Sequence, residues 1–100
     1  MNRGRTGPLR LLKTLRGDGT LVWGRRSTRP VSYSLDLYGQ GRWLSGDGDV
    51  RGELSELVGR ALLNVRLRLA DGLEAPISIR DIDAESASIE LVNPVPEGLE

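Results

Sequence analysis

Residues 65–80 read Val65-Arg66-Leu67-Arg68-Leu69-Ala70-Asp71-Gly72-Leu73-Glu74-Ala75-Pro76-Ile77-Ser78-Ile79-Arg80, and their alternation decides the fold class. Val65, Leu67 and Leu69 alternate with Arg66 and Arg68. Leu73, Ala75, Ile77 and Ile79 alternate with Glu74, Pro76, Ser78 and Arg80. Period-2 alternation marks strands with one buried face, and Asp71-Gly72 marks a turn between them. A two-residue loop would set Leu69 against Glu74 and turn one apolar row to the wrong side. A three-residue loop, Ala70-Asp71-Gly72, pairs Leu69 with Leu73, Leu67 with Ala75 and Val65 with Ile77, because directly opposed residues share a face. It also sets Arg68 beside Glu74 on the wet face. Gly72 supplies the left-handed residue that such a loop needs. Pro76 has no N–H to give a ladder, so its strand is expected at an edge or a bulge.

Outward from the hairpin, Val31, Tyr33, Leu35 and Leu37 alternate with Ser32, Ser34 and Asp36. In residues 42–52, Leu44, Gly46, Gly48, Val50 and Gly52 share one face. Glycines on an inward face relieve crowding where a sheet coils tightly; the alternative is a Gly/Asp loop. Ser86 to Val92 reads as a last strand, with Ala87, Ile89 and Leu91 inward. Leu54, Leu57, Val58 and Ala61 fall at i, i+3, i+4 and i+7, which predicts one short amphipathic helix over 53–61.

Residues 8–16 carry two readings. Thr6 as N-cap, Pro8, leucines three apart at 9, 12 and 15, and Gly17 as terminator support a helix. Asp18-Gly19 followed by Thr20-Leu21-Val22-Trp23 supports a hairpin turn with strands on either side, and this reading is preferred. The expected fold is all-β: a small six-stranded antiparallel barrel or coiled sheet, with one short helix between strands three and four. Residues 1–7 are expected to be a disordered basic N-terminus, 8–93 a single barrel domain and 94–100 a flexible tail. Leu99-Glu100, readable as a cloning scar, is left out of the fold.

With 100 residues the chain is one domain. Cysteine and histidine are both absent, which removes disulfides, thiolate chemistry, the usual general base and the commonest metal ligand. No apolar run exceeds three residues, so neither a signal peptide nor a membrane span is read, and the expected compartment is the cytoplasm. The net charge is zero, but residues 1–30 carry +7 and residues 31–100 carry −7. Such polarity steers an anionic partner to one end, unless the two halves pair across the folded surface.

No constellation of catalytic residues is legible, and the chain reads as a non-enzyme without a cofactor. Serines lack an activating base. Lys13, the sole lysine, reads as a surface charge. Asp81, Asp83 and Glu85 alternate as metal ligands do, yet without the glycine and closing glutamate of a calcium loop, so they read as a solvated turn. The functional candidates are Arg25, Arg26 and Arg29, in Arg25-Arg26-Ser27-Thr28-Arg29-Pro30. If Trp23 and Val31 face inward, this segment is a loop offering three forked donors to phosphate; the alternative is a plain polar loop. Of the aromatic residues Trp23, Trp43, Tyr33 and Tyr38, all are read as core or rim, with Tyr38 the most exposed because it breaks the alternation.

Arg25 and Arg29 have the Arg-x-x-x-Arg spacing, followed by Pro30-Val31 leading into a strand. Asp47 and Gly52 match the ends of an Asp/Asn-x-Ser-x-x-Gly motif, with Asp49 where that motif has serine. On these residues the chain resembles the PilZ family. The resemblance implies a six-stranded barrel that binds cyclic di-GMP through the two motifs; a carboxylate at position 49 would repel the ligand's phosphates. The function expected from the sequence is therefore a monomeric, non-catalytic binding domain for a protein or small anionic ligand. The alternative is a barrel using arginines 25–29 to hold a cyclic dinucleotide or single-stranded nucleic acid.

Overall fold

A computed structural model describes residues 9–40, 43–93, 95, 96, 98 and 99. The expected disordered segment 1–7 lies outside the described residues. Six strands form one antiparallel sheet: β1 (Arg10–Trp23), β2 (Ser27–Gln40), β3 (Trp43–Arg51), β4 (Arg66–Arg68), β5 (Glu74–Ile82) and β6 (Ser86–Leu91). They close into a barrel in the order β1-β2-β3-β6-β5-β4. No helix among the described residues is long and apolar enough to cross a membrane.

The hairpin that decides the fold has the register expected of it. Leu67 faces Ala75 and Arg68 faces Glu74. The Leu69 N–H donates to the Leu73 carbonyl at 2.8 Å, and the Ile77 N–H to the Val65 carbonyl at 3.1 Å. Gly72 has φ +93°. Pro76 is not at a sheet edge, because β5 lies between β4 and β6. Its carbonyl accepts from the Val92 N–H at 3.0 Å, so its nitrogen turns the same way, toward a residue just past the end of β6. The missing donor therefore falls outside both ladders.

Leu21, Val31, Leu35, Leu37, Val50, Leu67, Ala75 and Ile89 fill the interior. The inward glycines of β3 do what the pattern implied. A Cβ at Gly48 would lie 2.0 Å from the Ser34 oxygen, and one at Gly46 2.6 Å from Leu91 Cδ1. Strand β1 runs unbroken through Gly17-Asp18-Gly19, where a turn was expected. Those glycines serve close approach instead. A Cβ at Gly19 would lie 2.2 Å from the Arg68 oxygen, and one at Gly17 3.0 Å from the Tyr33 hydroxyl.

The expected helix over 53–61 is a single 3-10 turn, Ser55–Leu57. Only Leu54 and Leu57 of the apolar set are buried, at the spacing of three that a 3-10 turn repeats, while Val58 is exposed. Gly59, with φ +79°, ends the turn. Hydrogen bonds from Gly52 N to Glu85 O and from Leu54 N to Ala84 O hold this segment against the β5–β6 turn, and Leu54 and Leu57 enter the core from there. The tail is not wholly free of the fold as expected: Leu99 is 1% exposed and belongs to the core, beside Gly98, where a Cβ would lie 3.7 Å from Leu73 Cδ2.

Closure is uneven. β1 pairs with β2 along nearly its full length, but with β4 only through Thr20, Leu21 and Val22. Among the described residues, 10–19 of β1 therefore have a strand on one side only. Among the described residues, 43–46 of β3 likewise pair only with β2, since the ladder with β6 runs from Arg51, opposite Ser86, to Asp47, opposite Glu90. The ends of β1, β2 and β3 thus project as a three-stranded flap, and the molecule measures 47 × 27 × 21 Å.

Candidate functional site

Two surfaces are candidates for a site, the arginine segment and the flap. Trp23 and Ser27 close a three-residue turn, 24–26, between β1 and β2. Gly24 takes φ +61° there. Its N–H donates to the Leu63 carbonyl at 2.8 Å, and its carbonyl accepts from the Arg66 guanidinium at 3.4 Å. Arg25 and Arg26 stand exposed at the apex, with no ion pair among the described residues.

Arg29 is placed differently. It lies within β2, opposite Leu21, so its side chain starts on the inward face at the barrel's end. There it pairs with Glu56 of the 3-10 turn, and its Nε is buried with no hydrogen-bond partner among the described residues. The loop expected over 25–30 is thus only three residues long, and it brings Arg25 and Arg26 together without Arg29. Asp47 and Asp49, in the second motif, lie on the outer face of β3, where Asp47 is flanked by Asp36 and Glu90. Asp36 stands nine residues along β2 from Ser27, about 30 Å at strand spacing.

The acidic turn has a structural task. Asp83 Oδ1 accepts from the N–H groups of Glu85 and Ser86, both at 2.8 Å. Those bonds, with that of Glu85 first, hold its carboxyl below the usual aspartate range.

The flap carries what the sequence reading missed. Leu9 and Leu11 are each 56% exposed, Leu12 52% and Trp43 69%. Leu11 opposes Tyr38, and Trp43 opposes Gln40. Alternation along β2 puts Leu11, Tyr38 and Trp43 on one outer face, and Leu9 joins Tyr38, Ser45 and Asp47 around a cleft of about 500 Å³. Leu12, at a bulge in β1, packs over Gly39 instead. Desolvation, and then the charges of Asp36 and Asp47, raise the Tyr38 hydroxyl above its ordinary pKa, so it stays a neutral donor.

Trp43, not Tyr38, is the most exposed aromatic. The signal was present: if Leu44, Gly46 and Gly48 face inward, Trp43 faces out. Comparisons of the chain with protein-family models, with curated proteins and with solved structures found no match.

Proposed function

We propose that this chain is a non-catalytic binding domain that takes a protein partner on its flap. The observation that carries this reading is the meeting of Leu9, Leu11, Tyr38 and Trp43 on one outer face, beside a stretch of β1 that no second strand among the described residues covers. Apolar side chains grouped on a projecting element mark interaction surfaces more often than solvated ones. An extended partner segment laid along residues 10–16 gains ladder hydrogen bonds and sets alternate side chains over the patch. Arg10, Lys13 and Arg16 on that edge discourage pairing between copies of the chain itself.

The test is a photo-reactive residue at position 43, introduced in cells of the source organism. One adduct of defined mass with a different protein is expected, and Leu11→Asp should abolish it without lowering the melting temperature. Adducts formed only between copies, or none at all, would overturn the reading.

A second reading has phosphate held by Arg25 and Arg26. It is favoured by the exposure of both guanidiniums at the apex of a short turn. In a low-salt amide titration with cyclic di-GMP and a single-stranded oligonucleotide, saturable shifts at residues 23–29 that weaken as salt rises support it. Silence removes it.

A further inference from the structure

The barrel wall has a second opening, away from the flap. Antiparallel pairing of β4 with β5 stops at the bond from Ile77 N to Val65 O. The preceding residue, Asn64, has φ +54°, a left-handed conformation that turns the chain off the ladder. The bond from Gly24 N to Leu63 O then ties it to the β1–β2 turn. Residues 60–63 therefore do not continue along β5. No strand among the described residues pairs with β5 on this side beyond Ile77.

A groove of about 530 Å³ occupies the space, between the departing chain and β5. Its apolar lining includes Leu62, Val65, Ile79 and Ile82, with Arg60 and Arg80 among its polar groups and no carboxylate. Arg60 has no ion pair among the described residues, while Arg80 holds Glu90 at 2.8 Å on the surface.

The backbone adds direction. Leu73 O and Ile77 N bond toward β4, and Pro76 O bonds toward β6. By alternation, the N–H and C=O of Ile79 face the groove, where no strand receives them. A strand's polar groups need partners at strand spacing, and an extended backbone supplies both a donor and an acceptor there. The two arginines select the charge.

We propose that this groove binds an extended acidic peptide segment, which adds to β5 as a strand in the place that β4 vacates at Asn64. Apolar residues of the peptide lie over Ile79 and Ile82, and its carboxylates meet Arg60 and Arg80. This site is independent of the flap, so a domain carrying both would bridge two chains.

The probe is a synthetic peptide of alternating glutamate and valine, titrated into the full chain while amide shifts are recorded. Saturable shifts at residues 62–65 and 77–82 are expected, with slowed exchange of the Ile79 amide. Arg60→Glu together with Arg80→Glu should weaken binding roughly tenfold, on the scale of two rim ion pairs lost. Both side chains are exposed, so the variant should fold, and its unchanged amide spectrum elsewhere checks that it does. A peptide N-methylated at alternate residues should not bind. The proposal is overturned if a lysine–valine peptide binds equally well, if N-methylation has no effect, if shifts fall on residues 9–13 and 43–46 instead, or if no shifts appear.

Discussion

At Gly48 the β2 and β3 backbones approach closely enough to exclude a methyl group. A Cβ would meet the Ser34 oxygen at 2.0 Å and Leu35 Cα at 2.9 Å, both backbone atoms that cannot rotate away. At Gly46 the nearest obstacle is the end of the Leu91 side chain, at 2.6 Å, which can turn. At Gly59 there is open space but a φ of +79°. Three glycines thus impose three different costs. Gly59→Ala should cost about 1 kcal/mol, or roughly 4–8 °C in melting temperature for a chain of this size. Gly46→Ala should cost about 1–3 kcal/mol as an overpacked site. Gly48→Ala should exceed both and abolish a cooperative melt. Thermal denaturation of the three variants checks the order, and an equal loss at all three would refute the close-packing account.

Among the elements, the β4–β5 hairpin is tuned by charge. The Arg68 guanidinium gives Glu74 Oε2 two bonds, at 2.9 and 2.7 Å, and this, with a weaker pull from Arg66, holds the Glu74 carboxyl below the usual glutamate range. A carboxylate whose pKa is depressed by folding contributes stability above its unfolded value, near 4.5, and loses it as pH falls through the folded value. The Ser55 hydroxyl and N–H lower Glu53 in the same way. Melting temperature should therefore fall as the solution is acidified below about pH 5, and Glu74→Gln should fall less steeply over that window. The effect is small, since Glu74 is about a third exposed. A parallel pH profile in the variant would count against the pair.

This hairpin was legible because its alternation, its turn glycine and its charge pair all specify one register. Strand β1 was less so. Gly17-Asp18-Gly19 has the composition of a turn, and only the neighbouring strands reveal that the glycines admit Arg68 and the Tyr33 ring. The segment 53–61 misled for a related reason: its four apolar residues fit a helical face, but the barrel's end has room for just two. Arg29 looked like a loop residue beside Arg25 and Arg26, although its parity with Val31 and Tyr33 already assigned it inward. The flap patch needed the length of the strands, which alternation alone does not supply.

For the whole molecule, the division of charge along the chain becomes a division in space. Arg10, Lys13, Arg16, Arg25 and Arg26 sit on β1 and its turn, while Asp36, Asp47 and Glu90 form a row across the outer wall of β2, β3 and β6. Like charges directly opposed on neighbouring strands are unfavourable, so Asp47→Asn should stabilise the fold by about 0.5 kcal/mol. Chemical denaturation measures this, and a loss of stability would show that the row is compensated. The open edge of β1 and the groove beside β5 both border β4, which is too short to cover either neighbour.

That shortness also governs how the wall behaves in time. Three residues of β4 fasten the hoop to β1, against a seam of far greater length between β1 and β2. Releasing this latch leaves every other strand pair intact and turns the closed ring into a curled ribbon. The amides of Thr20 and Val22, which face β4, should therefore exchange with solvent by a local opening that denaturant scarcely accelerates, while those of Leu35 and Val50 wait for the whole chain to unfold.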